Sequence, residues 1–142
     1  MMPRARPETA AMGIASCAFG LIVLAAGCLG SSSTGGGRSD GTLVVDWTIN
    51  GTTDPSRCTQ SAATTLDVII NTASGNFVGE FQADCAAFAT SIDLPAGRYT
   101  ANAVLLDARG TERTTQLDIG AFRILGGDSL DVPIDFPARS FL

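Results

Sequence analysis

Histidine is absent from this 142-residue chain, and so is lysine; all nine basic side chains are arginines. That removes the commonest general base, the Schiff-base nucleophile, Ser-His-Asp and Ser-Lys arrangements, and imidazole ligation of metals. Fourteen carboxylates remain. A glycosidase needs two of them about 5–10 Å apart across a cleft. Glu80 and Asp84 fall on one strand face with Gln82 between them, roughly 13 Å apart at strand rise. That suits a solvated face better than a dyad. Asp128 after Gly126-Gly127 hints at a calcium-binding turn, but a single such run makes a hairpin, whereas calcium gathers six or more oxygens. No catalytic residue, metal site or cofactor is expected.

The elements that come before the folded part bear on two of the four cysteines. Arg4 and Arg6, softened by Glu8, precede residues 10–26, which are uncharged and rich in Ala, Leu, Ile and Val. Ala26 and Gly27 are small enough to let a peptidase reach the backbone before Cys28. The run Leu24-Ala25-Ala26-Gly27-Cys28 resembles the lipobox of bacterial lipoproteins. The resemblance implies removal of residues 1–27 as a signal peptide and a diacylglycerol thioether on Cys28, the new N-terminus. The family favours Leu three residues before the cysteine, where this chain has Ala25, with Leu24 one further back.

Three other readings compete. Ile14-Ala15-Ser16-Cys17 fits the same pattern, but its apolar region would be only residues 10–16, and residues 18–26 would remain with nothing to bury them. An uncleaved membrane helix needs about 20 apolar residues; residues 10–26 are fewer and carry Gly13, Ser16 and Gly20. A plain secretory signal cut near Gly27 leaves Cys28 unexplained. The lipid makes a membrane the first expected partner. Leu29 follows Cys28 where an Asp would retain a Gram-negative lipoprotein in the inner membrane, so the resemblance implies the outer membrane. Arg without Lys, beside abundant Ala and Gly, suits a GC-rich genome. Gram-positive actinobacteria share that trait, and for them the site would be the outer face of the cytoplasmic membrane.

Cleavage after residue 27 of 142 leaves 115 residues. Residues 28–41 are the acylated cysteine and a Gly/Ser-rich linker. The twelve residues 30–41 carry no apolar side chain and have an r.m.s. reach of about 20 Å. Residues 42–142 suffice for one domain with one core. With Cys17 discarded and Cys28 acylated, Cys58 and Cys85 remain, and in an oxidising compartment they are expected as a disulfide. There is no C-x-x-C, and two thiolates without histidine make no ordinary zinc site. Seven arginines face thirteen carboxylates after cleavage, a net charge of −6. That balance argues against nucleic acid and against anionic headgroups.

The folded part reads as all-β. Leu43, Val45, Trp47 and Ile49 alternate with polar neighbours, as do Leu66, Val68 and Ile70, and Leu130, Val132, Ile134 and Phe136. Period 2 marks strands with one buried face. Residues 77–84, 88–94, 99–106 and 111–119 add four more, giving a small antiparallel β-sandwich of about seven strands. Asn50-Gly51, Ser74-Gly75-Asn76, residues 107–110 and residues 126–128 supply turns. Pro133 lacks an amide donor, so the last strand is an edge or pairs on one side only there. Residues 83–89 are the best short-helix candidate. Trp47 could be a sugar-stacking platform, but its parity places it in the core.

Leu94-Pro95-Ala96-Gly97-Arg98-Tyr99, with Ala101, Ala103, Leu105 and residues 107–110, resembles a segment of transthyretin-like and carboxypeptidase-regulatory-like sandwiches. It is also similar to the L-x-P-G-x-Y corner of fibronectin type III domains, with Ala96 departing from the Pro-Gly order. That likeness implies an inward tyrosine whose hydroxyl is satisfied by backbone. Phe141 and Leu142 either fold back on the rim, the expected outcome for so short a tail, or offer a peptide to a partner. Two functions stay open: a tethered, non-catalytic module contacting another envelope protein, or a carbohydrate or small-ligand binder using end loops. A loop cluster of arginine and aromatic residues favours the second, and a bare hydrophobic strip or open edge the first.

Overall fold

A computed structural model describes residues 39–142. Cys17, Cys28, the signal segment 1–27 and most of the linker 28–41 lie outside the described residues. Seven strands follow in order: β1 (Asp40–Ile49), β2 (Thr65–Thr72), β3 (Phe77–Asp84), β4 (Ala89–Pro95), β5 (Gly97–Leu106), β6 (Leu117–Ile124) and β7 (Ser129–Phe136). A five-residue helix α1 (Ser56–Gln60) and two 3₁₀ turns (Cys85–Ala87, Ala138–Ser140) interrupt them. The first strand thus starts two residues before the expected boundary at 42.

Two sheets result, with orders β4-β1-β7 and β3-β2-β5-β6. Leu43, Val45, Trp47 and Ile49 are at most 1 % exposed, and Leu66, Val68 and Ile70 are fully buried opposite them. Alternation therefore faces each sheet toward one shared core, with Tyr99, Ala101, Ala103 and Leu105 of β5 completing it. One pair departs from the antiparallel expectation: β1 and β7 run parallel, Thr42 beside Ser129 through Ile49 beside Phe136. The chain crosses between sheets before β7, so its last strand arrives alongside its first in the same direction. Pro133 lies opposite Asp46 on this edge strand, where its missing N–H leaves no ladder bond unmade. Leu130, Val132 and Ile134 are accordingly half-buried, and Phe136 alone is sealed.

The sixth strand was expected at residues 111–119 and lies at Leu117–Ile124. Gly120, at φ 83°, sits where the β5–β6 register shifts between Ala101 and Asn102. It marks a bulge inside the strand, whereas a glycine in the sequence reads equally well as a strand end. Residues 111–116 instead form a loop held by single bridges, Leu106 to Glu112 and Thr114 to Phe141. The short helix expected within 83–89 is the 3₁₀ turn at Cys85–Ala87; α1 carried no periodic signal because it is too short to show one.

Candidate functional site

Strand directions sort the loops into two groups. β1 begins at Asp40 opposite Pro95, and that proximal end also holds the turns at 73–76 and 125–128. The distal end collects residues 50–64, 85–88, 107–116 and the tail 137–142.

Short-range polar bonds build the distal loops. Asn50 and Gly51, at φ 52° and 70°, turn the chain, and Asp135 Oδ1 accepts from the Gly51 N–H (2.8 Å) and Thr48 Oγ1 (2.6 Å). Asp54 accepts from the Ser56 N–H at 2.9 Å; this bond holds its carboxyl below the ordinary 3.8. Asp107 accepts from the Thr111 and Arg109 amides at 2.9 and 2.8 Å and is lowered for the same reason. Cys58 on α1 is bonded to Cys85, with Cα atoms 6.0 Å apart, which ties the β1–β2 and β3–β4 connections together. Arg113 Nε donates to Ser61 O at 3.0 Å and adds the β5–β6 loop.

The tail folds back on this rim. Thr115 N–H donates to Ser140 O at 2.7 Å, and Leu142 N–H to Arg113 O at 3.1 Å. Phe141 packs against the core, and Thr114 is fully buried with its Oγ1 accepting from Leu105 N–H at 3.1 Å. Between the tail and α1 opens a cleft of about 330 Å³ lined by Arg57, Gln60, Arg113, Phe141 and Leu142 among others. Two guanidiniums beside an apolar wall can hold a planar anionic group such as a carboxylate. Arg57 and Arg113 are 56 positions apart and share no motif; the Arg113 bond to Ser61 O and the tail that bonds residues 113 and 115 bring their loops together.

The other site residues are placed as follows. Trp47 is 1 % exposed, donates from Nε1 to Cys85 O at 3.0 Å and lies 6.2 Å from the Phe88 ring. It is core and has no face for sugar. Tyr99 donates to Pro95 O at 2.7 Å and stacks 5.9 Å from Phe122, and a Cβ on Gly97 would stand 3.1 Å from its hydroxyl. Glu80 and Asp84 stay apart in role: Gln82 donates to Glu80 (3.2 Å), while Asp84 accepts from Ala86 N–H (2.8 Å) and caps the 3₁₀ turn. Asp128 serves the 125–128 turn, where its carbonyl accepts from Thr42 N–H. Among the described residues no group of three His, Cys, Asp or Glu side chains could hold a metal ion, and no helix is long and apolar enough to cross a membrane.

Alternation with Leu66, Val68 and Ile70 puts Asp67 on the outward face, where a carboxylate ordinarily meets solvent. It does lie on the outward face of β2, yet only 4 % of it is exposed and its Oδ1 has no hydrogen-bond partner. Burial, then the charge and hydrogen bonding of Glu80, push it up to about 6.

No family model matches the chain, and no curated protein matches it. Matching solved structures include the Bacillus anthracis TIE protein, 16 % identical over 70 % of this chain and 17 % of that one, with a TM-score of 0.51. A leucine-rich repeat protein from Bacteroides thetaiotaomicron matches at 14 % identity over 70 % of this chain and 12 % of its own, with a TM-score of 0.49. The chain spans under a fifth of either protein's length. The first likeness bears on the fold alone, and the second is too distant to argue from.

Proposed function

We propose that this chain is a lipid-anchored protein of the bacterial envelope whose β-sandwich is a non-catalytic binding or structural module. One observation carries the reading: the chain enters the sandwich at its proximal end, opposite the disulfide-braced loops. An anchor at Cys28 would therefore leave the distal loops presented to an envelope protein partner. The outer membrane is the proposed address, as Leu29 implies. The tyrosine-to-backbone bond of Tyr99 and Pro95 supports kinship with transthyretin-like or fibronectin-type sandwiches as part of the same proposal. Growth with a clickable fatty acid should label the protein, and Cys28→Ser should abolish the label. Label that survives in Cys28→Ser and is lost in Cys17→Ser would move the anchor.

A second reading, a small-ligand or carbohydrate binder, is favoured by the arginine and aromatic cleft formed by Arg57, Arg113 and Phe141. Uronate-containing glycans are the natural probe. Binding that Arg57→Ala weakens about tenfold or more would support it, a loss in line with one charge-assisted hydrogen bond; no binding in a titration calorimeter would leave the first reading alone.

A further inference from the structure

We infer that the proximal rim of the four-stranded sheet rests on the membrane and holds anionic phospholipid headgroups through Arg98 and Arg123. The inference builds on the Cys28 anchor. Arg98 and Arg123 stand directly opposite each other in the β5–β6 register, and both are exposed. Tyr99 and Phe122, their neighbours in the chain, stack on the core side, so the two arginines share the outward face. Like charges placed opposite one another destabilise a sheet. The arginine side-chain hydrogen bonds among the described residues belong to Arg57 and Arg113, so neither of this pair is engaged that way. The small residues Ala73 and Ala121 beside them leave access.

Apolar exposure converges on the same rim. Among the described residues, four large hydrophobic side chains are exposed, and three lie there: Phe77 at 66 %, Val78 at 37 % and Leu125 at 47 %. Phe77 and Val78 open β3 and Leu125 follows β6, at the two edges of the four-stranded sheet. Basic side chains flanked by apolar ones are the composition of a surface that lies in a headgroup layer. The proximal carboxylates Asp40, Asp93, Asp128 and Asp131 belong to the other sheet or the turn leading into it. Asp118 pairs with Asn102, four residues along β5 from Arg98, and Glu80 is three residues along β3 from Phe77. At strand rise both are about 10 Å or more from the rim. Asp40 and Asp128 adjoin Leu125 through the 125–128 turn, so a tilt that lowers the outward face of the four-stranded sheet is what presents Arg98 and Arg123 to lipid.

The tether selects the same end. The chain enters β1 at Asp40, on the proximal end, and the ten-residue strand sets that end roughly 30 Å from the distal loops. An anchor at Cys28 would hold the proximal rim nearer to its lipid than the distal loops.

The acylated full chain, reconstituted in vesicles of phosphatidylcholine alone or with 30 % phosphatidylglycerol, tests this. An NBD label on Ser74→Cys reports the proximal end and one on Ala108→Cys the distal end. With phosphatidylglycerol, headgroup-nitroxide lipids should quench the proximal label and spare the distal one. Arg98→Glu with Arg123→Glu should reduce that lipid preference roughly tenfold or more, given the strength of single basic contacts to anionic lipid. The variant should still float with vesicles through its anchor and keep the Trp47 emission of a folded core. Equal quenching at both ends, or proximal quenching indifferent to phosphatidylglycerol and to the double variant, would overturn the inference while leaving the anchor intact. Failure of the unmodified chain to float would instead remove the anchor, and the docked rim with it.

Discussion

Asp67 is the residue at which burial and charge are most at odds. Val104 and Gln82 flank it across the sheet, and Val104 is itself 2 % exposed. The folded state holds its proton up to about 6, against an ordinary 3.8. Because the folded form binds the proton more tightly, protonation favours folding. This contribution is complete below about 3.8 and is lost as the pH rises through about 6. Asp67→Asn should therefore raise stability at pH 7 by about 1–3 kcal/mol and flatten the pH dependence between 4 and 7. Urea unfolding at pH 7 and 4.5 measures both; a variant less stable than the parent at pH 7 would refute the account. Trp47 carries the opposite expectation. Its ring fills the core and its N–H is satisfied by Cys85 O, so Trp47→Ala should cost roughly 3–5 kcal/mol. Chemical denaturation checks the size, and red-shifted native emission in the parent protein would place the ring in water instead.

At the scale of elements, α1 and the tail owe their places to partners distant in the chain. Five helical residues cannot hold a helix in isolation. The Cys58–Cys85 bond and the Asp54 bond to Ser56 N–H hold α1, and closing a loop of 27 residues contributes roughly 3–4 kcal/mol in the chain-entropy model. The tail makes two backbone bonds to residues 113–115 and covers core with Phe141. Deleting residues 139–142 should cost about 1–3 kcal/mol, from lost apolar burial and unmade hydrogen bonds. It should also speed amide exchange at Thr115. An unchanged melting midpoint after the deletion would show the tail to be a free peptide, available to a partner.

For the whole molecule, the parallel pairing of β1 with β7 has a kinetic and a thermodynamic consequence. The first strand waits for the last before its sheet is complete, and such non-local pairing slows folding. A chain ending at Asp128 would lack Phe136, leave β1 unpaired on one side and uncover the core face of a three-stranded sheet. It should show no cooperative thermal transition by circular dichroism. A sharp transition from that fragment would mean that the remaining six strands close a core unaided.

Much of this architecture was legible along the chain because a strand with one buried face writes its period into the sequence. The inward parity of Leu43, Val45, Trp47 and Ile49, the turns at Asn50-Gly51 and Gly126-Gly127, and the edge position of Pro133 are local facts of side-chain alternation and backbone geometry. The pairing of Cys58 with Cys85 was legible because the other two cysteines both fall in the N-terminal segment 1–28. Tertiary structure alone decided what depends on distant neighbours. It set the parallel direction of β7, which is a matter of how the chain crosses between sheets. It sealed Asp67, whose cover comes from β3 and β5. It brought Arg57 to Arg113, and Arg98 to Arg123, because loops and registers separated by tens of residues meet only when the strands between them have paired. Local chemistry specifies which face of a segment is buried; only the packed molecule specifies which segments share that face.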